Sequence, residues 1–585
     1  MARSVYTYQS LSTYARRVKK LGSGTYGKVY LCNTFGERKD VAVKRIQSLQ
    51  SEGVQESAFR EIVLMQTIKD PNVCPILDIL YDPPYVSLAL PLATAGTLKT
   101  LREEKKITDD GVMRKILYQM ARAVYACEIN NVLHRDIKTD NFLVDPDAQL
   151  GYRVQLADFG ISRGSVCSII PNEKMSSEVY TLWYRPPEII LGNQKYDEKA
   201  DIWALGCSMA EMLTADYLFA GNGEEGVLQL MYRMLGPIST TSWPEALDYG
   251  DWKMYREVVK KEEKREFATD KKLAELITDP TALDLISKML EYHPHRRANI
   301  YEVLSHRYFD QVREDVQKVL GVSPPEPVSV MTKLRNKILR ISSDSRNCGC
   351  DPRYGPDWFA ATGEGSGDEW IKLIYDIKHK FTLRTKTIDH AVHLLGILSV
   401  LTHIDDFRYS TVACVHIASM YNEMYALEIN EYDSFVDDIE NLGKTVRKIL
   451  KQLDFKINVS TPCDFLTHLF RDGYDDKVKN LAKLTLMLSH LRPQDAIFLM
   501  SPDVVAQACL LIACRALEHD YLLSSDIVVS RVADVIVESI NRYQPGNPSV
   551  DAVINTFVSI TAAEIYALYK KNSVHVKKTE SEDEN

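Results

Sequence analysis

Five side chains, Lys44, Asp136, Lys138, Asn141 and Asp158, are of the types and spacing that could do chemistry. Asp136 can accept the proton of an attacking hydroxyl, and Lys138 can neutralise a phosphoryl group in transit. Asn141 and Asp158 can hold Mg2+, and Lys44 can meet phosphate oxygens. Phosphoryl transfer asks a protein mostly for positioning and charge neutralisation, so two lysines and two metal-binding groups form a sufficient set. Taken singly, each has a plainer reading: a strand lysine, for example, is ordinarily just solvated. The order His134-Arg135-Asp136-Ile137-Lys138-Thr139-Asp140-Asn141, then Asp158-Phe159-Gly160, makes coincidence a poor explanation.

The elements that must position these groups can be read around them. Gly22, Gly24 and Gly27, followed by Val29, form G-x-G-x-x-G in a stretch with strand-like alternation, where a backbone without side chains can close over phosphates. A flexible hairpin would look the same, but Val41-Ala42-Val43-Lys44 follows and places an ammonium beneath such a loop. Further on, Val54, Ala58, Ile62 and Met65 recur at helical spacing, while Phe59 and Val63 point elsewhere. The stretch QESAFRE, Gln55–Glu61, therefore predicts a helix whose Glu61 can pair with Lys44. Apolar segments 76–81 and 85–92 read as strands, and 111–130 reads as a core helix that delivers the Asp136 stretch.

Composition bounds the remaining choices. A chain of 585 residues with 45% apolar and 26% charged residues has room for two to four soluble domains. A net charge of −9 argues against a nucleic-acid or membrane-surface binder. Eleven scattered cysteines give neither a disulfide framework nor a zinc spacing, so a reducing intracellular compartment, cytoplasmic or nuclear, is expected. No run reaches the length of a membrane span, and MARSVYTYQS lacks the apolar core of a secretory signal.

Residues 14–310 resemble a protein kinase, with a small lobe of about 1–92 and a large lobe of about 93–310. The resemblance extends to Pro187-Glu188, Asp201-Ile202-Trp203 and Arg297, and implies a structural Glu188–Arg297 ion pair. It makes Asp136, Lys138 and Thr181 catalytic and Asn141 and Asp158 the Mg2+ ligands. Gly22, Gly24, Gly27, Val29, Ala42, Lys44, Glu61, Leu90 and Ala93 then line the ATP site, with Leu90 behind the adenine and Pro91–Ala93 as the hinge. Thr181–Glu188, TLWYRPPE, and QESAFRE are similar to the corresponding stretches of cyclin-dependent kinases. That likeness implies a serine/threonine kinase acting on protein Ser/Thr-Pro sites. Thr181 would bridge Asp136 and Lys138, and Arg185 would help shape the proline pocket. Arg60, Arg135 and Arg163 would gather a phosphate on Ser176 placed there by an activating kinase. If Ser176 is never modified, Ser177 or Glu178 would partly substitute. Thr25 and Tyr26 match an inhibitory pair. Three departures stand out: Tyr180 replaces a small apolar residue, Thr139 a proline and Pro186 an alanine.

Residues 311–365 are rich in Pro, Gly, Ser and charge and read as a linker. Beyond them amphipathic spacing predicts helices over 368–380, 386–402, 408–424, 434–453, 462–471, 475–490, 502–518 and 549–570, then an acidic tail at 571–585. Residues 366–460 and 461–570 resemble two cyclin-box folds, although Met420, Val446 and Gly396 stand where cyclins carry lysine, glutamate and aspartate. Glu423 and Tyr425 match. The fold class expected is therefore α+β, a bilobal kinase followed by an all-α cyclin-like domain. That domain would dock on Phe59 in cis, or in trans by exchange between chains. A linker of this length spans roughly 40 Å, at an effective concentration on the order of millimolar. The alternative is a kinase-fold scaffold whose helical half recruits partners.

Overall fold

The computed structural model describes residues 6–24, 27–36, 39–47, 56–82, 85–164, 180–194, 196–263, 272–327, 367–401, 404, 406–423, 426–455, 457, 459–470, 474–489, 502–517 and 527–541. Thr25, Tyr26, Ser176, Ser177, Glu178 and Tyr425 lie outside these residues, as do the helix expected over 549–570 and the acidic tail. The described residues fall into two compact units, Tyr6–Gln47 with Ser57–Val328, and those from Gly367 onward.

The first unit begins with a short helix, α1 (Leu11–Tyr14), and an antiparallel sheet of β1 (Ala15–Gly24), β2 (Gly27–Thr34), β3 (Asp40–Gln47), β4 (Asp78–Asp82) and β5 (Tyr85–Pro91), in the order β1-β2-β3-β5-β4. Side chains alternate across a strand, so Val41 and Val43 go to one face, where they join Leu11, Cys32 and Leu80 in a core. Ala42 and Lys44 are left on the other. Gly27 is required by packing: a Cβ there would sit 2.5 Å from the Arg45 carbonyl oxygen of the neighbouring strand. Between β3 and β4 runs α2 (Glu56–Thr67). Every residue from Ala58 to Met65 is buried, Phe59, Arg60 and Glu61 included, so this helix is enclosed all round rather than along one stripe.

The large lobe carries α3 (Leu98–Glu103), α4 (Asp110–Ile129), strands β6 (Val132–Leu133), β7 (Phe142–Asp147), β8 (Gly151–Leu156) and β9 (Arg163–Gly164), then α5 (Pro187–Ile190) and α6 (Glu198–Thr214). Helices α7 (Gly223–Leu235), α8 (Trp252–Glu263), α9 (Leu273–Leu276), α10 (Pro280–Met289), α11 (Ile300–Leu304) and α12 (Arg313–Leu320) follow. Asp109 caps α4 by accepting the Val112 N–H at 2.7 Å, and Asp197 caps α6 through Lys199 N–H at 3.0 Å. The two helices pack on each other, and α6 is buried continuously from Ala200 to Met212. Its Asp201 and Glu211 are thus charges placed in an apolar helix, a costly arrangement that needs partners.

One boundary differs from the sequence reading. The stretch from 311, expected to open a linker, contains α12, which packs on α4. Gln317 donates to the Tyr118 hydroxyl at 2.6 Å, and the Glu326 N–H to the Tyr125 hydroxyl at 3.1 Å. The Pro/Ser composition that suggested a linker begins only at Ser323, after a helix too short to be conspicuous.

The second unit is entirely helical among its described residues: α13 (Gly367–Phe381), α14 (Thr385–Leu401), α15 (Phe407–Asn422), α16 (Ile439–Gln452), α17 (Pro462–Leu469), α18 (Asp476–Ser489), α19 (Pro502–Ala516) and α20 (Ile527–Asn541). Helices α13, α14 and α16 pack around α15, and α17, α18 and α20 around α19, giving two groups each built on a buried central helix. The helix expected from 434 starts at Ile439, because Asp438 caps it through the Asn441 N–H at 3.0 Å. Helix α20 is an addition to the helices expected from periodicity. Met420 and Val446 are buried in place of the expected lysine and glutamate, and Gly396 is partly buried. A buried ion pair of this unit joins Lys386 Nζ and Asp464 Oδ1, at 2.7 Å.

Candidate active site

Strand β3 and helix α2 set the first part of the site. Lys44, paired in register with Val29 of β2 and Leu88 of β5, projects from the face opposite the Val41–Val43 core. Its Nζ donates to Glu61 Oε1 at 2.7 Å, Glu61 Oε2 at 2.8 Å and Asp158 Oδ1 at 2.8 Å. Burial works against the ammonium, but the two carboxylates outweigh it and hold the Lys44 pKa above the ordinary lysine value. One cation faces two anions here. The fully buried Glu61 is accordingly pushed up by its burial, with Lys44 opposing. Asp158 also loses solvent, yet the charge and hydrogen bond of Lys44 hold it below the usual aspartate range.

Residues 134–141, the candidate catalytic loop, are fastened from beneath. Asp201 of α6 accepts the backbone N–H of His134 at 2.7 Å and of Arg135 at 2.9 Å. The His134 ring lies edge-on to Phe159, with centroids 4.7 Å apart, and Nε2 meets the Ala157 carbonyl at 3.1 Å. Burial holds this histidine below its ordinary pKa. Arg135 and Asp158 adopt left-handed backbone, φ +65° and +64°, so both ends of the site hold sparsely populated conformations.

On this base three side chains close a triangle. Lys138 Nζ donates to Asp136 Oδ2 at 2.8 Å and Thr181 Oγ1 at 2.9 Å, and the Thr181 hydroxyl donates to Asp136 Oδ1 at 2.8 Å. Asn141 Nδ2 donates to the Asp136 carbonyl at 2.7 Å and its Oδ2 at 2.9 Å. Both bonds go to acceptors, which orients the amide so that Oδ1 is its remaining oxygen donor. The Asn141 carbonyl accepts the Ala157 N–H at 2.9 Å, bringing Asn141 next to Asp158. Asn141 Oδ1 with a partly exposed Asp158 carboxylate is a hard oxygen pair, which suits a cation that keeps water and phosphate in its remaining positions. Among the described residues no cluster of three His, Cys, Asp or Glu could make an all-protein metal cage.

The glycine-rich turn is the β1–β2 hairpin: Gly22 pairs with Val29, and Gly24 with Gly27. A Cβ on Gly22 would meet no protein atom within 4 Å, so that position faces open space. Ala42 pairs with Leu90, and Ala93 follows the end of β5 where Thr94 N–H binds Asp145 Oδ1 at 2.7 Å. Arg135 donates through Nε to the Ile161 carbonyl at 2.7 Å, and Arg60 and Arg163 are both buried.

The structure adds a residue that sequence reading missed. Glu211 of α6 accepts from Tyr184 at 2.6 Å, from Thr139 at 2.8 Å and from Arg102. Its signal was a glutamate inside the apolar run Gly206–Thr214. Glu188 and Arg297 form a bidentate pair at 2.9 Å, and the guanidinium also lies over Trp203, 5.1 Å from the ring centroid.

This geometry agrees with a family match: residues 15–309 fit the protein kinase domain. The chain belongs to the protein kinase family. This kinase is 32% identical over 299 residues to Cyclin-dependent kinase 1 of Encephalitozoon cuniculi, covering 50% of the present chain and 96% of that relative. It is also 32% identical over 308 residues to Cell division control protein 2 homolog 2 of Trypanosoma brucei brucei, covering 52% and 85% respectively. Both likenesses span about half of this kinase. No helix among the described residues is long and apolar enough to cross a membrane.

Proposed function

We propose that the kinase is an ATP- and Mg2+-dependent serine/threonine kinase of the cyclin-dependent type, proline-directed, with its helical unit acting as a cyclin-like activator. The Asp136–Lys138–Thr181 triangle carries this reading. Asp136, whose carboxylate accepts from Lys138, Thr181 and Asn141, is placed to take the proton of an incoming hydroxyl. Lys138, already at hydrogen-bond distance from Asp136, neutralises charge on the group passing to that hydroxyl. Lys44 grips nucleotide phosphates while Glu61 fixes its direction. Asn141 Oδ1 and Asp158 would hold Mg2+, which when bound would supply positive charge to offset that of the phosphates. Gly22, Gly24 and Gly27 close backbone over the phosphates, and Val29, Ala42, Leu90 and Ala93 contact the base.

Proline direction is supported by Arg185, whose Nη2 donates to the Tyr180 carbonyl at 3.3 Å. In this reading the bond aims the carbonyl at Arg185 and away from the substrate residue after the phosphoacceptor, where proline, having no N–H, loses nothing. Activation by the helical unit is supported by the QESAFRE motif and by two groups of helices, each built on a central helix, in the same chain. Ser176 phosphorylation, gathered by Arg60, Arg135 and Arg163, would then set the activation segment, and Thr25 and Tyr26 would be inhibitory sites.

The test is phosphorylation of a Ser-Pro peptide by the purified full chain, with Asp136→Asn as the inactive control. Equal phosphorylation by both proteins would favour the scaffold alternative. Phe59→Asp in the full chain tests the activator claim: turnover should be abolished, circular dichroism separates that loss from unfolding around the buried side chain, and unchanged turnover would remove cis activation.

A further inference from the structure

Tyr180 departs from the family pattern, and nothing in the chemistry above uses its side chain. Its backbone is left-handed, φ +64°, a conformation that a residue with a Cβ adopts only when its surroundings impose it. The ring is buried and stands edge-on to Tyr196, with centroids 6.1 Å apart. The phenol donates to Asp201 Oδ1 at 3.1 Å. That same carboxylate accepts the His134 and Arg135 N–H groups at 2.7 and 2.9 Å, so one buried anion ties the catalytic loop and the substrate-facing segment together. At the other end of the residue, the Tyr180 carbonyl accepts from Arg185 Nη2 at 3.3 Å, and Arg185 Nη1 is held by Glu224 Oε1 at 2.6 Å. The next residue, Thr181, bonds to both Asp136 and Lys138.

Tyr180 is therefore held from both sides, by its phenol inward and its carbonyl outward, next to a residue of the catalytic triangle. A small apolar side chain at this position would leave the left-handed turn held only from the carbonyl side. We propose that Tyr180 is a positioning residue for substrate choice: its phenol–Asp201 bond locks the turn that commits its carbonyl to Arg185, and thereby enforces proline directly after the phosphoacceptor. This inference rests on the proline-directed reading given above. A substrate residue with an N–H at that position leaves a desolvated donor without an acceptor, and proline and any N-alkylated residue escape the penalty.

The experiment uses the full chain and three peptides that differ only after the phosphoacceptor: proline, alanine and N-methylalanine. For the native kinase, proline and N-methylalanine should give similar kcat/KM, each exceeding alanine by about tenfold or more, the worth of one unmade buried hydrogen bond. Tyr180→Phe keeps the ring and loses the hydroxyl. It should cut the proline-to-alanine ratio by about tenfold, the order of one hydrogen bond to a charged group, and act more on KM for the proline peptide than on kcat. Tyr180→Leu, which fills the space with no hydroxyl, should give the same fall. A folded Tyr180→Phe protein with the native ratio overturns the role of the phenol and leaves proline direction intact. A native kinase that treats N-methylalanine like alanine overturns the carbonyl argument. A native kinase with no preference for proline overturns the proline-directed reading and this inference with it.

Discussion

Thr139 Oγ1 donates to Glu211 Oε1 at 2.8 Å, fastening the catalytic loop to α6 from the residue next to Lys138. Glu211 also accepts from Tyr184 at 2.6 Å, so the loop and the substrate-facing segment share a second buried carboxylate besides Asp201. Burial pushes Glu211 upward, and its donors Tyr184, Thr139 and Arg102 work against that. Where the cyclin-dependent kinase resemblance implies a proline, this chain carries a donor.

Thr139→Val keeps the shape and removes that donor. The loss should cost about 1–2 kcal/mol, the price of leaving a buried carboxylate short of one hydrogen bond. In a domain of this size the kinase melting temperature should fall by about 2–4 °C. Calorimetry on the full chain checks it, and an unchanged melting temperature would mean that Tyr184 and Arg102 satisfy Glu211 on their own.

Lys44 stands between Glu61 and Asp158, and if Asp158 holds Mg2+ as proposed, the allegiance of Lys44 decides how much of that carboxylate is left for the metal. With Glu61→Gln the ammonium loses its buried anion and turns to Asp158 alone. Catalysis should fall about ten- to a hundredfold, less than the full cost of a broken buried pair because Asp158 remains as partner. The apparent Mg2+ requirement should rise at the same time. Steady-state rates measured across a Mg2+ titration test this, and a fall in rate with no change in that requirement would refute the competition between Lys44 and metal.

The placement of α12 gives a third expectation. A fragment ending at Asp310 lacks Val316 and Gln317, which are buried, and leaves the Tyr118 hydroxyl without its donor. A fragment ending at Pro327 keeps them. The shorter fragment should melt lower by several degrees, since it exposes the apolar side of α4 as well as losing the hydrogen bonds. Equal melting temperatures would show that α12 adds nothing to the stability of the large lobe.

How much of this was legible in the sequence depended on the kind of residue. Lys44, Asp136, Lys138, Asn141, Asp158 and Thr181 lie in short stretches whose order is itself the signal, and the structure brings them together as two adjoining clusters. Glu211 was not legible as a partner of the site, and Tyr180 was legible only as a departure beside the proline pocket, because their partners, Thr139 and Asp201, lie 72 and 21 residues away in sequence. Helix α12 was hidden by its brevity and by the proline-rich residues after it. The cyclin likeness implied a lysine and a glutamate where this chain has Met420 and Val446; both are buried, and a buried ion pair not foreseen from that likeness joins Lys386 and Asp464.

The helical unit should be sensitive to acid, and the sign follows from two histidines. Burial pushes His390 and His416 down to about 4 in the folded chain, against about 6.5 when unfolded. Between those values the unfolded chain binds more protons than the folded one, so this contribution is fully present above about pH 6.5 and is lost as pH falls toward 4. Each histidine should contribute a slope of about 1.4 kcal/mol per pH unit in that window. The two differ in support. His390 has the Ile457 carbonyl at 2.9 Å and the Asn422 amide at 2.8 Å, whereas neither ring nitrogen of His416 has a hydrogen-bond partner among the described residues and its ring stands edge-on to Tyr432. His416→Phe should therefore be tolerated at neutral pH and should flatten the acid dependence, while His390→Phe should disrupt the packing of α14 against α15. Hydrogen exchange of α15 amides in the full chain, corrected for the intrinsic rate at each pH, measures this locally. A slope unchanged by His416→Phe between pH 6.5 and 4 would assign the acid sensitivity to other groups.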